Sequence, residues 1–284
     1  MDVLNSYQER FHMKHLVLGN GFIGNYVSKY LGCPISSKRI DNIYSLQEEI
    51  DIYDPDVIIN CLGKAGNPNV DWCESHIDET FRSNVFVPQI LNIVCKSYNI
   101  KMVHIGSGCI YNNGIFSEKD FPNFTGSIYS KSKKEAEELL NKDVLQLRIR
   151  MPISSEQNNR NLLTKLLKYD KILNIENSVT VIDDFLYALK LLIEKDAKGI
   201  FNIVNPVAVK HPDILNIYNK YSNNKKIFSI ISLEELEKIT IAPRSNCILS
   251  TDKLESFGIR LRTAPEAIED CIKRYIKLEN LCAA

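Results

Sequence analysis

Four residues that can carry protons lie close together in the middle of the chain: Ser107, Cys109, Tyr129 and Lys133. Tyr129 and Lys133 form a YxxxK pair at the head of a helical pattern, so one turn places both side chains on the same face. An ammonium beside a phenol lowers the pKa of the phenol from its usual value of about 10. The pair therefore predicts a tyrosine that exchanges a proton near neutral pH, although ordinary surface pairs have the same spacing.

Ser107 and Cys109 belong to the stretch GSGCIY, where an apolar run gives way to a loop. A cysteine in such a place is often a small packing residue and nothing more. Its thiol can also serve as an acid or a base when it lies in a site. The local sequence leaves both interpretations open.

A glycine pattern near the start of the chain predicts a dinucleotide site. Gly19, Gly21 and Gly24 form GxGxxG between the apolar run HLVL and a helical pattern. The first glycine permits a tight turn, the second lets the backbone approach a pyrophosphate, and the third lets the helix pack closely. The free N–H groups at the helix start meet the phosphate charge. We predict that this turn, with Phe22 and Ile23, binds a nicotinamide dinucleotide.

The choice between NADPH and NADH depends on the end of the second strand. Turns that prefer NAD carry an acidic residue about 20 residues after the glycines. This chain has Ser37, Lys38 and Arg39 there instead. A guanidinium binds a phosphate through two hydrogen bonds, so Arg39 favours NADPH, and a solvated basic loop is the alternative. The stretch NCLG resembles an adenine-side turn after a fourth strand, which adds three predicted cofactor contacts: Cys61, Leu62 and Gly63.

The elements that must position these residues alternate between strands and helices. Short apolar runs are typical of strands at 15–18, 56–62, 101–107, 145–150 and 199–204. Amphipathic helical patterns separate them at 85–98, 130–140 and 183–196. Continuous apolar strands that alternate with helices indicate a parallel sheet covered on both faces. The sequence predicts an α/β fold with a doubly wound Rossmann-type sheet.

The later part of the chain predicts a second, smaller unit. We expect an NADP-binding Rossmann domain over 14–150, to which 180–205 returns. Segments 151–179 and 206–284 are helical and more polar, and we expect them to form a substrate-binding cap. Residues 1–13 are expected to be a loose extension.

Composition excludes several classes of protein. Lysine plus arginine equals aspartate plus glutamate at 35 each, so charge gives no reason to expect nucleic acid or an anionic membrane as a partner. No apolar run approaches the ~20 residues that span a bilayer, and the start is too polar for a secretory signal. The eight cysteines and five histidines are dispersed. We therefore expect no metal site, reduced thiols and a cytoplasmic protein.

The arrangement of a serine, a tyrosine and a lysine after a dinucleotide-binding first half resembles the short-chain dehydrogenase/reductase superfamily. A narrower resemblance rests on longer motifs that follow one another in order: PNVDWCESH, GCIY, DFPNFTGSIYSKSK, RIRMPISS, NLLTK and APRSN. From about residue 14 to 275 the chain resembles the nucleotide-rhamnose synthase family, whose members are 3,5-epimerase/4-reductases. Bacterial dTDP-4-dehydrorhamnose reductases are more distant relatives.

The resemblance implies an activity: a 4-keto-6-deoxyglucose nucleotide is epimerised at C3 and C5 and then reduced at C4 with NADPH. It implies five catalytic positions: Ser107, Cys109, Tyr129, Lys133 and Lys165. Tyr129 and Lys133 are expected to contact the cofactor as well. With less weight the resemblance implies substrate contacts at Asn69, Asp71, Trp72, Glu74 and Arg244. For Lys165 the spacing offers no signal of its own, and Trp72 is equally well explained as a core anchor.

Two departures from the family bear on these expectations. Ser107 stands where the family is expected to have threonine, which keeps the hydroxyl. The segment between Cys109 and Tyr129 is also shorter than in the plant proteins, which affects the substrate loop.

Three alternatives stay open at this point. The chain can be a 4-ketoreductase alone, although Cys109 and Lys165 argue against it. A 4,6-dehydratase is disfavoured, because Gly108 and Cys109 stand where relatives with that chemistry have acidic residues. A non-catalytic NADP-binding regulatory subunit has little need of Tyr129 and Lys133.

The resemblance also sets expectations about partners. It favours UDP over dTDP as the carrier of the sugar, a separate 4,6-dehydratase as the source of the 4-keto substrate, and a homodimer.

Overall fold

The computed structural model describes residues 13–283. The strands, in chain order, are β1 (His15–Leu18), β2 (Ile35–Ser36), β3 (Val57–Asn60), β4 (Lys101–Ser107), β5 (Ile115–Phe116), β6 (Leu145–Ile149), β7 (Pro152–Ile153), β8 (Lys171–Leu173), β9 (Glu176–Asn177), β10 (Thr180–Val181), β11 (Gly199–Asn202), β12 (Val209–Lys210), β13 (Ser229–Ile231) and β14 (Ile248–Leu249).

The helices follow the same order. They are α1 (Phe22–Leu31), α2 (Ile43–Tyr53), α3 (Asp71–Ser75), α4 (Ile77–Phe81), α5 (Val87–Ser97), α6 (Ile128–Leu139), α7 (Leu162–Lys168), α8 (Ile182–Glu194), α9 (His211–Tyr221), α10 (Leu233–Glu237), α11 (Asp252–Ser256) and α12 (Ala264–Ala283). A π-helical turn, Arg82–Phe86, joins α4 to α5.

A six-stranded sheet forms the centre of the fold, in the order β2-β1-β3-β4-β6-β11. Every neighbouring pair in it is parallel. The strands β3 and β6 are buried along their whole length, as expected when helices cover both faces of a sheet. The doubly wound Rossmann-type sheet predicted from the sequence is confirmed.

The strand order changes direction between β1 and β3. The chain runs from β1 to β2 on one side and then returns to β3 on the other. The carboxyl ends of β1 and β3 therefore open into a crevice, which is where sheets of this type bind their ligands. The NCLG stretch leaves β3, so the prediction that it follows a fourth strand is wrong: β3 is the third strand of the sheet in chain order.

Local sequence explains why the helices at this edge begin and end where they do. Gly21 precedes α1, and Gly32 ends it in the left-handed conformation with φ of 62°. Ser127 caps α6 by accepting a hydrogen bond from the Ser130 N–H at 3.0 Å. Ser127 thus fixes the first turn of α6, and Gly32 fixes the end of α1.

A second hydrophobic cluster lies beyond the sheet. Helices α7, α9 and α12 contribute most of it, and the short strands β7 and β10 pair beside it. Its members range from Ile153 to Tyr275. The division of the chain into a Rossmann domain and a cap stays a prediction. The predicted extension at 1–13 falls, except for its last residue, outside the described residues.

Candidate active site

The glycine turn after β1 has the conformation that a dinucleotide requires. Gly19 has a φ of +102°, in the region that favours glycine. A Cβ on Gly24 would lie 1.9 Å from the Gly19 carbonyl oxygen, whereas a Cβ on Gly21 would meet nothing within 4 Å. The third glycine thus permits close packing of α1, and the second leaves open space at the helix start. Phe22 and Ile23 are half-buried in the first turn.

The loop after β3 packs against this turn. A Cβ on Gly19 would lie 3.0 Å from the Leu62 nitrogen and 3.1 Å from the Cys61 carbonyl carbon. A Cβ on Gly63 would lie 3.4 Å from Lys133 Nζ. The two glycine-containing loops and the lysine of the YxxxK pair therefore lie along one crevice. The residues present fit a dinucleotide that extends from the glycine turn toward Lys133.

The basic end of β2 carries a cluster of opposite charges. Arg39 Nε donates to Asp41 Oδ1 at 2.8 Å, and Arg82 Nη2 donates to the same oxygen at 2.9 Å. Ser37 is exposed beside them, and Lys38 turns away to pair with carboxylates of α2. Arg82, which the sequence analysis did not select, thus joins Arg39 at the place where a 2′-phosphate is expected.

Tyr129 and Lys133 lie one turn apart on α6, next to the end of β4. Lys133 is buried, and its Nζ donates to the Ile105 carbonyl oxygen at 3.4 Å. Burial lowers the pKa of Lys133 to about 8. Burial, together with the nearby Cys109 thiol, raises the pKa of Tyr129, and a hydrogen bond with Ser107 opposes that rise only in part.

The prediction that Lys133 lowers the pKa of Tyr129 is therefore wrong. The amine directs its hydrogen bond to a backbone carbonyl, and burial of the phenol has the larger effect. Tyr129 stays protonated at neutral pH. This is the form that can donate a proton.

Cys109 is fixed in the turn that follows β4. Its N–H donates to Ser107 Oγ at 3.1 Å, and its carbonyl oxygen accepts from Ser130 Oγ at 2.6 Å. The half-buried thiol accepts a hydrogen bond from Arg150 Nη1 at 3.4 Å. The turn is thus tied to β4, to α6 and to the end of β6.

Lys165 approaches the same place from α7. It is half-buried, and burial lowers its pKa. The positive charges of Arg160 and Arg244 lower it further, and Cys109 opposes this change. Cys109 is hydrogen-bonded to Ser107, and it interacts electrostatically with Tyr129, Lys133 and Lys165. The five residues predicted to be catalytic therefore lie around one thiol.

A latch joins two of the predicted substrate residues. Both oxygens of Asp71 accept from Arg244, at 2.8 and 3.0 Å, and Asp71 also accepts from the Ala242 N–H at 2.9 Å. Burial alone would raise the pKa of Asp71, but these hydrogen bonds and the arginine charge lower it. Asp71 thus fastens the APRSN segment to α3.

The other predicted substrate residues also have partners within the protein. Asn69 Oδ1 accepts from the N–H two residues later at 2.8 Å, and Glu74 Oε1 accepts from the Ile128 N–H at 2.8 Å. Trp72 stacks on His76 with a ring separation of 3.9 Å. These contacts shape the wall beside α6, and substrate contact by these residues stays a prediction.

Besides Arg82, three site residues escaped the sequence analysis. Asn84, in the π-helical turn, accepts from the Lys64 N–H and donates to Ser132 on α6, and turns of this kind are common at functional sites. Arg160 donates to the Gly66 carbonyl. Arg150 Nη1 donates a hydrogen bond to Cys109 Sγ. Only Arg150 had a signal, because a charged residue at the end of a buried strand is rare and needs a reason.

Within residues 13–283, no helix combines the length and apolar character needed to cross a membrane. In the same part of the chain, no group of three or more His, Cys, Asp or Glu side chains is placed to hold a metal ion.

The class of protein follows from the sheet, the glycine turn and the YxxxK helix, which together are those of extended short-chain dehydrogenases/reductases. Residues 34–149 match the NAD dependent epimerase/dehydratase family. The chain is 37% identical to an Arabidopsis thaliana bifunctional dTDP-4-dehydrorhamnose 3,5-epimerase/dTDP-4-dehydrorhamnose reductase, over 87% of this chain and 88% of that protein.

Two further similarities are of the same kind. The chain is 39% identical to the trifunctional UDP-glucose 4,6-dehydratase/UDP-4-keto-6-deoxy-D-glucose 3,5-epimerase/UDP-4-keto-L-rhamnose-reductase RHM1 of A. thaliana, over 93% of this chain but only 42% of that protein's length. It also resembles the crystal structure of the L780 UDP-rhamnose synthase from Acanthamoeba polyphaga mimivirus, with a TM-score of 0.87 and 33% identity, over 93% of this chain and 99% of that one. The chain belongs to the nucleotide-rhamnose synthase family of 3,5-epimerase/4-reductases.

Proposed function

We propose that the protein is a bifunctional enzyme that converts UDP-4-keto-6-deoxy-D-glucose to UDP-L-rhamnose. It acts first as a 3,5-epimerase and then as an NADPH-dependent 4-ketoreductase. The observation that carries this proposal is that Cys109, hydrogen-bonded to Ser107 at 3.1 Å, interacts electrostatically with both Tyr129 and Lys165. Two of the three relatives reported above are named for UDP-linked sugars and one for a dTDP-linked sugar, and on this balance we propose UDP.

The chemistry explains why one site can serve both reactions. The C4 ketone acidifies the protons on C3 and C5. Inversion at each carbon needs removal of a proton on one face and return on the other, so two carriers are required. Proton removal leaves an enolate on O4, which the hydroxyls of Tyr129 and Ser107 stabilise. The same oxygen becomes the alkoxide during reduction, and Tyr129, whose pKa is raised by burial, supplies its proton.

We propose that the crevice beside α1 holds NADPH, which supplies the hydride for C4 when bound. Gly19, Gly21 and Gly24 hold the pyrophosphate, with Cys61–Gly63 on the adenine side. Arg39 binds the 2′-phosphate, and Lys133 binds the ribose near the site of reduction. Support for this assignment comes from the open space at Gly21 and from the short approach between Gly63 and Lys133.

A cofactor experiment tests the role of Arg39. Arg39→Ala should raise the Michaelis constant for NADPH and leave that for NADH nearly unchanged, because a charge-assisted contact is worth about 1.5–3 kcal/mol. Lys38→Ala is a matched control, since Lys38 is turned toward α2. Equal effects of Arg39→Ala on both cofactors would remove Arg39 from the 2′-phosphate site.

The proposed function is tested most directly by product identification. Incubation with UDP-4-keto-6-deoxy-D-glucose and NADPH should give UDP-L-rhamnose by NMR. In D₂O without NADPH, the wild-type protein should place deuterium at C3 and C5, because epimerisation exchanges these protons with solvent. Cys109→Ala and Lys165→Ala should lose this exchange but still reduce the pre-epimerised ketone.

Tyr129→Phe should abolish reduction and leave NADPH affinity close to that of the wild type. If Cys109→Ala is folded and exchanges both protons at the wild-type rate, the thiol is a packing residue and the epimerase proposal fails. The protein would then be a 4-ketoreductase alone.

We also propose a cytoplasmic homodimer whose 4-keto substrate comes from a 4,6-dehydratase. The support for a dimer is a set of exposed apolar side chains on or next to α5 and α6, namely Phe86, Ile93, Tyr98 and Leu139. Sedimentation equilibrium should give twice the mass of the chain, and a monomer at micromolar concentration would contradict it. The cap formed by 151–179 and 206–284 is proposed to enclose the sugar nucleotide.

A further inference from the structure

Arg150 is a buried cation immediately after β6, with 1% of its surface exposed. Its Nη1 donates to Ser245 Oγ at 3.0 Å and to Cys109 Sγ at 3.4 Å. Its Nη2 donates to the Ser245 carbonyl oxygen at 2.6 Å and to Asn177 Oδ1 at 2.5 Å. Its Nε is buried without a hydrogen-bond partner among the described residues.

No carboxylate forms an ion pair with Arg150 in the part of the chain that the structure describes. A buried charge without a counter-ion is costly, and folded proteins keep one only where other interactions compensate. The hydroxyl, the carbonyl and the amide that Arg150 contacts are neutral. The Cys109 thiol is the one partner among them that can take up a negative charge.

We propose that Arg150 is a positioning residue for the epimerase reaction: its guanidinium holds the Cys109 sulfur in place and stabilises the thiolate. This inference rests on the proposed function of Cys109. The thiolate is the form that removes a proton. It takes the proton from C3 or C5 and becomes a thiol, the carbon–hydrogen electron pair moves to O4 as an enolate, and the Lys165 ammonium returns a proton on the opposite face. Both groups then re-equilibrate with solvent.

Other charged and titratable groups face Cys109, and their effects on the thiol have to be distinguished from that of Arg150. They are Tyr129 and Lys133 on α6, Lys165 on α7 and Cys247 before β14. The Cys247 thiol donates to the Gly108 carbonyl oxygen at 3.5 Å. Among the described hydrogen bonds, Arg150 is the cation that reaches the Cys109 sulfur.

The test compares Arg150→Met with Arg150→Lys, which keeps the positive charge. Deuterium exchange at C3 and C5 of UDP-4-keto-6-deoxy-D-glucose is measured without NADPH from pH 6.5 to 9.5. At pH 7 the methionine variant should exchange about 10- to 100-fold more slowly, as expected for loss of a charge-assisted contact. The deficit relative to the wild type at the same pH should shrink as the pH rises, because the thiolate then forms without the cation; the wild type at each pH accounts for the titration of Lys165 and Lys133. Arg150→Lys should be affected less at pH 7.

Reduction of the pre-epimerised ketone shows whether the residues that serve the reductase reaction still function in the variant. It should fall by a much smaller factor than deuterium exchange in Arg150→Met, since the hydroxyls of Ser107 and Tyr129 are retained. Arg262→Met, which removes a cation bonded to Asp184 in another part of the molecule, is the control for loss of charge and should exchange normally. Wild-type exchange in Arg150→Met at pH 7 would overturn the inference. A loss that high pH does not restore and that Arg150→Lys shares would also overturn it, because it would show a structural role alone.

A measurement on the wild-type protein decides the matter if the variants do not fold. Iodoacetamide should alkylate Cys109 at pH 7 at least about ten times faster than Cys33, which is also half-buried and whose pKa is raised by burial. Equal rates would overturn the inference. If Cys109→Ala still exchanges deuterium, the proposed epimerase function fails instead, and the alkylation rates still show whether the Cys109 thiol is activated.

Discussion

Arg148 and Arg150 lie two residues apart at the end of β6 and are equally buried, with 1% of each exposed, yet they have opposite surroundings. Arg148 donates from Nε and Nη2 to the two oxygens of Glu137, at 2.7 and 2.6 Å. Arg150 has neutral partners and the Cys109 sulfur. The first charge is neutralised within the fold, whereas the second faces the site.

The comparison shows how the fold uses buried charge. A paired cation such as Arg148 joins α6 to β6, and its charge is neutralised without a ligand. Arg150 and Lys133 have no carboxylate partner among the described ion pairs, and both interact with Cys109, where the proposed reaction creates negative charge. Preorganised positive charge of this kind stabilises developing anions because it is already in place when they form.

The largest effect expected from this comparison is on the neutralised pair. Glu137→Gln removes the carboxylate and leaves Arg148 buried with an uncompensated charge, which costs about 3–5 kcal/mol in the free energy of unfolding. Urea denaturation at pH 7 measures it. Glu138→Gln is the control, because that exposed carboxylate forms only an i,i+4 pair with Lys134 at 3.6 Å. Its loss should cost less than about 0.5 kcal/mol. Equal costs for the two variants would contradict the comparison.

The next effect has the opposite sign. The pKa of buried Lys133 falls from 10.5 to about 8. At pH 7 the amine is charged in both states, but burial makes that charge less favourable in the folded protein. The pKa difference of about 2.5 units, at 1.36 kcal/mol per unit, corresponds to a destabilisation of the folded state by about 3 kcal/mol. Lys133→Met should therefore stabilise the cofactor-free protein by about 2–3 kcal/mol at pH 7, while abolishing reduction.

The pH dependence of that gain follows from the same values. The unfolded state binds the extra proton between about pH 8 and 10.5, so the stability of the wild type rises with pH through this interval and the advantage of Lys133→Met shrinks toward zero. Urea denaturation of both proteins at pH 7, 9 and 10.5 measures it. A variant less stable than the wild type at pH 7 would show that the contact with the Ile105 carbonyl outweighs the burial of charge.

Local patterns predicted the parts of this molecule that are local in structure. GxGxxG and YxxxK each lie within a single turn, so their spacing alone places Gly19 beside Gly24 and Tyr129 beside Lys133. The alternation of apolar strands and amphipathic helices predicted the sheet, because burial on both faces leaves little room for polar residues.

The sugar end of the site could not be predicted in this way. Four separate segments of the chain contribute its residues, which are Cys109, Arg150, Lys165 and Arg244. Sequence spacing does not show which of these side chains are in contact. Lys165 was predicted only through the family motif. The pKa of Tyr129 was predicted with the wrong sign because its burial, which has the largest effect, depends on tertiary packing.

The Asp71–Arg244 latch is intermediate between Arg148 and Arg150. It is an ion pair, as Arg148–Glu137 is, but it lies at the edge of the site, as Arg150 does. Each side chain is 21% exposed, and the pair is bidentate. Asp71→Asn keeps the shape and removes the charge. We expect it to lower the free energy of unfolding by about 1 kcal/mol at pH 7, near the upper end for a partly exposed pair. Asp51→Asn, on the exposed face of α2, is the control.

The pH dependence sharpens this last prediction. The folded protein holds the pKa of Asp71 below its usual value of 3.8. The stabilising effect of Asp71 is therefore present above the unfolded pKa and is lost as the pH falls through the folded pKa. Urea denaturation should show the wild type ahead of Asp71→Asn at pH 7, with the difference declining below about pH 4. A difference that persists unchanged at pH 3 would mean that the hydrogen-bond geometry of the latch, not its charge, joins the APRSN segment to α3.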